Sequence, residues 1–133
     1  MLRSVFELRR ATSYVATVQN TTLRSSGGLM PDHGLFGSPE WWSAVENGDI
    51  PTHRVSGIIS RVYMSGHNDY PEFEVRSGDT TTSWTREGDD DAYIPGRAVT
   101  VEYVLQRFKT PLKGVGEYSE SVLRILIDDG RDA

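Results

Sequence analysis

The sequence contains no cysteine. That absence removes disulfides, thiolate metal sites and cysteine nucleophiles together. Long apolar runs are missing too. Nothing approaches the roughly 20 residues needed to span a bilayer, and the longest candidate, VLRILI at 122–127, is of strand length. The opening MLRSVFELRR holds no apolar stretch of the secretory kind. These features predict a soluble, cytoplasmic chain. His33, His53 and His67 stand far apart, without the H-x-x-x-H or H-E-x-x-H spacing of a zinc site. No G-x-S-x-G elbow frames a serine. Gly114-Val115-Gly116 supplies too few glycines for a dinucleotide fingerprint and follows no strand–turn–helix pattern. No metal, cofactor or catalytic residue is expected.

What is present suits one domain. A chain of 133 residues is long enough to bury a core without disulfides or a structural metal. Apolar residues make up 37%, below the usual share of about 45–50%, so loops and ends should be polar. The net charge of −5 is unevenly spread. Residues 1–31 carry four arginines and one acid, and 97–113 carry four bases and one acid, whereas 66–96 carry eight acids and two arginines. An acidic chain is a poor match for nucleic acid, which wants a basic face. Local acidity suits a basic protein partner, or merely keeps hairpin loops solvated.

The stretch from His53 to Phe108 reads as successive strands: HRVSGIISRVYM, YPEFEVR, TTTSWTRE and GRAVTVEYVLQRF. In 70–76, Phe73 and Val75 alternate with Glu72, Glu74 and Arg76, as in a half-buried antiparallel strand. In 97–108, Val99, Val101, Tyr103 and Leu105 form one row, and Thr100, Glu102, Val104 and Gln106 the other. Gly57 marks a bulge or coil point in the first strand, and Ser77-Gly78-Asp79 a tight turn. Upstream, residues 1–37 form the entry. Ser4-x-x-Glu7 fits a capping box, but β-branched SYVATVQ favours extended chain from about Val5 to Gln19, bent near Ala11-Thr12. Residues 21–37, rich in Ser, Thr, Gly and Pro, read as loop.

One helix is expected, over 38–47. Ser38 serves as N-cap, Pro39 at N1, Glu40 in the first turn and Gly48 as the C′ stop. Trp41, Ala44 and Val45 share its inward face, and Trp42 points about 100° away. Residues 110–118 read as loop, SVLRILI as the closing strand, and 128–133 as a frayed tail. The pattern implies a mainly β fold: a small antiparallel barrel or strongly bent sheet, OB-like or SH3-like, with one short helix.

Candidate sites lie in the turns. His67 and Asp69 in SGHNDY could pair as acid and base, though a solvated turn is the plainer reading. Glu87-Gly88-Asp89-Asp90-Asp91 lacks the alternate ligands and distant glutamate of a calcium loop, and is better suited to a basic protein surface. The leading expectation is therefore a non-catalytic binding module, with Asp69, Asp89, Asp90 and Asp91 facing a protein partner and Trp42 or Trp84 as anchors. An acidic inhibitor or immunity-type protein that neutralises a basic toxin or nuclease is one concrete form. It would act as monomer or homodimer. Two alternatives stand beside it. One is an OB-type single-stranded nucleic-acid binder using Arg61, Tyr63, Trp84 and Arg86. The other is a small-ligand or enzymatic pocket near Tyr63, His67 and Tyr103.

Overall fold

Six strands and two helices lie along the described residues. The computed structural model describes residues 2–24, 28–64, 71–112 and 116–128, with side chains described for all of these but 24, 109–112, 116 and 117. The order is β1 (Leu2–Glu7), α1 (Thr12–Arg24), α2 (Pro39–Asn47), β2 (Thr52–Met64), β3 (Pro71–Ser77), β4 (Thr80–Thr85), β5 (Ala98–Leu112) and β6 (Gly116–Asp128), with 3₁₀ turns at Leu8–Arg10 and Asp90–Ala92. The strands make one antiparallel sheet in the order β1-β6-β5-β2-β3-β4. The fold is mainly β, as expected, but the order is linear and the sheet is not closed into a barrel among the described residues. The two edges are treated differently. β1 carries a register shift between Ser4 and Phe6, and its Val5 carbonyl accepts the Asp89 N–H at 3.4 Å. The segment after β4, rather than β4 itself, thus meets β1.

By contacts the chain forms two compact units: Met1–Glu7, Arg54–Glu102 and Arg124–Ala133, and Leu8–His53 with Tyr103–Leu123. The first unit buries Val5, Ile59, Phe73, Val75, Trp84, Tyr93, Val99, Val101, Ile125 and Ile127. Phe73 and Val75 face in from β3, and Glu72, Glu74 and Arg76 lie on its more open face, as the alternation predicts. The bulge expected at Gly57 falls instead between Ile59 and Arg61, opposite β3. Gly57 answers a different need: a Cβ there would stand 2.2 Å from the Arg76 carbonyl oxygen, so only glycine lets β3 come so near.

The second unit holds both helices. α2 begins and ends as predicted. Ser38 Oγ accepts the Trp41 N–H at 3.3 Å, and Gly48 takes the left-handed conformation with φ 83°. Trp41 is fully buried with Ala44, and Trp42 is half-buried. The Trp41 indole N–H donates to Gln106 Oε1 at 3.0 Å, and Gln106 Nε2 donates to the Met30 carbonyl at 3.0 Å.

Three expectations are corrected in this unit. Thr12–Arg24 is helical, not extended. Ala11, Val15, Val18, Gln19 and Thr22 are its less exposed positions, at the spacing of one helical face. Two of them are polar but satisfied: Gln19 Nε2 donates to the Phe36 carbonyl, and Thr22 Oγ1 accepts the Leu29 N–H. Second, the 21–37 segment is a helix end followed by backbone pinned to β5, with Met30 N–H donating to the Arg107 carbonyl at 2.7 Å; residues 25–27 lie outside the described set. Third, β5 and β6 reach Leu112 and Gly116, so most of the expected 110–118 loop is strand. The buried row of β5 also changes. Val99, Thr100 and Val101 are buried, then Val104 and Gln106, while Leu105 is exposed. The change falls where β5 passes from the first unit to the second.

Candidate functional site

The acidic loop after β4 is built on fixed backbone. Arg86 N–H donates to the Pro71 carbonyl at 3.0 Å, continuing the β3–β4 ladder one step beyond the strand. Glu87 is then clamped by Tyr93, whose hydroxyl accepts the Glu87 N–H at 3.1 Å and donates to the Glu87 carbonyl. Gly88 turns the chain with φ 73°, lying so close to β1 that a Cβ would overlap the Val5 oxygen at 1.9 Å. Asp89 then caps the Asp90–Ala92 turn, its Oδ1 accepting the Asp91 N–H at 3.2 Å. Burial raises the Glu87 carboxyl above its ordinary pKa. It also pushes the Tyr93 phenol well above the usual tyrosine range, where the nearby Glu87 and Asp90 charges add to the shift.

The acids of the loop are partly compensated. Asp89 Oδ2 lies 3.6 Å from Arg3 Nη2, and Asp90 Oδ1 lies 3.2 Å from Arg86 Nη1. Arg86 is mostly covered, at 12% side-chain exposure against 66% for Asp90. Its Nη2 also approaches the Tyr63 carbonyl at 3.4 Å, while its buried Nε has no hydrogen-bond partner among the described residues. Two arginines set against Glu87, Asp89, Asp90 and Asp91 leave the loop with an excess of negative charge. Asp89, Asp90 and Asp91 are all exposed.

The other predicted site residues separate. Asp69 and His67 lie outside the described residues. Trp84 is 6% exposed, facing the first unit's core with its indole N–H on Thr82 Oγ1 at 2.8 Å, so it supports the sheet from inside. Trp42 belongs to the second unit. The guanidinium of Arg9 sits 3.9 Å above its ring, itself paired with Glu46. Trp42 is therefore already covered on one face. Of the residues that shape the loop, Arg3 and Tyr93 are absent from the sequence-based candidates, and Arg86 stands among them only as a nucleic-acid contact. The i,i+4 spacing of Arg86 and Asp90 is the one signal that marks them.

For the small-ligand reading, His67 lies outside the described residues, and two open clefts are found among the described ones. An open cleft of the second unit is lined by Asp32, Asp49, Ile50, Arg107 and Tyr118. One of the first unit is lined by Ile58, Arg76, Gly78 and Pro95. Neither includes Tyr63 or Tyr103. His53 stacks on Tyr103 at 5.4 Å. Of the arginines named for nucleic acid, Arg61 lies over Tyr63 at 4.1 Å and Arg86 is committed to Asp90. No helix among the described residues is long and apolar enough to cross a membrane.

The site is thus a charged loop with fixed backbone after β4 of an antiparallel sheet. The family model described as Immunity protein RhsI2 matches residues 2–128, and the chain belongs to that family. It is an inhibitor- or immunity-type module that works through protein–protein interaction. No curated protein matches the chain.

Proposed function

We propose that the chain neutralises a basic protein toxin by binding it without catalysis, with the acidic loop at Glu87–Asp91 as the principal contact. The observation that carries this reading is the combination of surplus negative charge and a backbone held by Tyr93, Gly88 and Val5. A rigid acidic surface steers a basic partner and loses little freedom when it docks. Asp69 joins the same reading on sequence grounds. Trp42 serves as a second anchor once Arg9 swings from its ring. Such a protein acts in the cytoplasm, as the neutralising partner of a toxin that reaches it there.

The test uses a basic toxin domain, sought among the products of genes neighbouring that of this chain. Co-expression should restore growth that the toxin domain alone abolishes, and calorimetry should register a tight complex. Converting Asp90 and Asp91 to lysine should weaken that complex by about tenfold or more, chiefly through slower association at low salt. Affinity unchanged by the double reversal would reject the acidic loop as the contact.

A further inference from the structure

The two edges of the sheet are not equally protected. β1 carries a register shift, its Val5 carbonyl is taken by Asp89, and its Arg3 and Glu7 are ion-paired with Asp89 and Arg124. These are the devices that keep an edge from pairing with another chain. β4 has none of them. Its sequence, TTTSWT, lacks charge and proline, and its register with β3 runs from Thr80 to Thr85 without a shift.

The direction of its free groups follows from the ladder. Arg86 N–H bonds to the Pro71 carbonyl, and Ser77 opposes Thr80 across the two-residue turn. In an antiparallel pair, alternate residues exchange hydrogen bonds with the partner strand. Thr80, Thr82 and Trp84 therefore bond to β3, and the N–H and C=O groups of Thr81, Ser83 and Thr85 turn away from it. Those three residues are exposed. The inner row of β4 is meanwhile held by Trp84, so the strand is anchored and, among the described residues, stands at the end of the sheet with no strand beyond it.

We infer that β4 is a strand-pairing site: an extended segment of the toxin adds to the sheet along Thr81, Ser83 and Thr85. This inference rests on the toxin-binding reading above and specifies its geometry. The occupant is marked by charge. Asp79 stands at the turn end of β4, and Glu87, Asp90 and Asp91 follow at the other. A segment with lysine or arginine at its two ends meets an acid at each. A second copy of this chain meets the opposite. In the register that mates Thr81 with Thr85 about Ser83, Asp79 of each copy opposes Glu87 of the other. Backbone bonds then supply affinity, and the flanking acids supply selectivity.

The experiment is amide hydrogen exchange on the unmutated chain, free and bound to the same purified toxin domain. Thr81, Ser83 and Thr85 amides should exchange quickly in the free protein and be strongly slowed in the complex. Ser83→Pro removes an outward N–H that the β3–β4 ladder does not use, and proline is tolerated at such edge positions. It should weaken toxin binding by about tenfold or more, with Ser83→Ala close to the unmutated chain and circular dichroism unchanged. If Ser83→Pro does not fold, the exchange result decides alone. Absence of any binding heat with the unmutated chain removes the toxin reading and this one with it. A complex that forms but leaves the three amides unprotected overturns strand pairing only. Slowing that grows with concentration of the free chain also overturns it, because the occupant is then a second copy.

Discussion

The phenol of Tyr93 holds both backbone groups of Glu87, accepting its N–H at 3.1 Å and donating to its carbonyl. One buried side chain thereby fixes the residue at which the chain leaves β4 and enters the acidic loop. The clamp works only while the phenol keeps its proton, and burial secures that by raising its pKa well above the ordinary value.

Tyr93→Phe should therefore cost about 1–3 kcal/mol, the range for leaving buried polar groups unpaired, seen as a melting temperature several degrees lower. The pH dependence has a definite sign. An unfolded tyrosine ionises near pH 10, and the folded one only above that. The unfolded state thus loses its proton first, and stability from Tyr93 is whole below about pH 10 and declines above it. Denaturation at pH 8 and pH 11 should show a fall for the parent chain that the phenylalanine variant lacks in part. Equal falls would exclude Tyr93 as the titrating group.

Glu87 carries the same sign at lower pH. Burial raises its pKa, so its charged form is favoured less in the fold than in the unfolded chain. Its contribution is intact at pH values below the ordinary glutamate range and is lost as pH rises through the folded pKa. Glu87→Gln should match the parent near pH 4 and melt at higher temperature near pH 7. A variant less stable than the parent at pH 7 would show that the carboxylate makes a compensating bond in the fold.

These loop contacts show where sequence reading succeeds and where it stops. α2 is legible because Ser38, Pro39 and Gly48 each act on the backbone next to them. β3 is legible because strict alternation survives half-burial. α1 is not. Val15, Thr17 and Val18 raise local strand propensity, and the helical stripe that would counter it includes Gln19 and Thr22, whose partners at Phe36 and Leu29 are known only once the chain is folded. Gln106 is not legible as a core residue for a related reason: an indole N–H from Trp41, far away in sequence, makes a polar residue welcome inside. The acidic loop is legible as charge but not as geometry, since Arg3, Arg86 and Tyr93 approach it from outside the acidic run. The immunity-type reading follows from charge and from the lack of catalytic motifs, with no motif of its own to point to.

Gln106 offers a direct check on that buried polar chain. Gln106→Leu preserves bulk but leaves the Trp41 indole N–H and the Met30 carbonyl without this partner. Each orphaned group costs about 1–3 kcal/mol, so the variant should lose about 2–6 kcal/mol in urea denaturation. Gln106→Glu should also destabilise, because it replaces the amide donor to Met30 with a buried carboxyl. A neutral result for the leucine variant would mean that water reaches both groups.

Two glycines separate backbone conformation from close approach. Gly78 and Gly88 both take positive φ, 61° and 73°. A Cβ on Gly78 meets nothing within 4 Å, whereas one on Gly88 meets the Val5 carbonyl oxygen at 1.9 Å. Gly78→Ala therefore bears only the left-handed penalty, about 1–2 kcal/mol. Gly88→Ala bears that penalty and must also push the loop off β1, breaking the Asp89-to-Val5 bond. Its loss should exceed that of Gly78→Ala by about 1–3 kcal/mol, measured side by side in urea. The pair also divides binding from stability. Gly88→Ala displaces Asp89–Asp91 and should weaken toxin affinity even at temperatures where it is fully folded. Gly78→Ala leaves those acids in place, so its loss of toxin affinity should be clearly smaller than that of Gly88→Ala. Equal stabilities for the two alanine variants would show that the Gly88 loop yields freely, and the case for a rigid acidic surface would fall with that result.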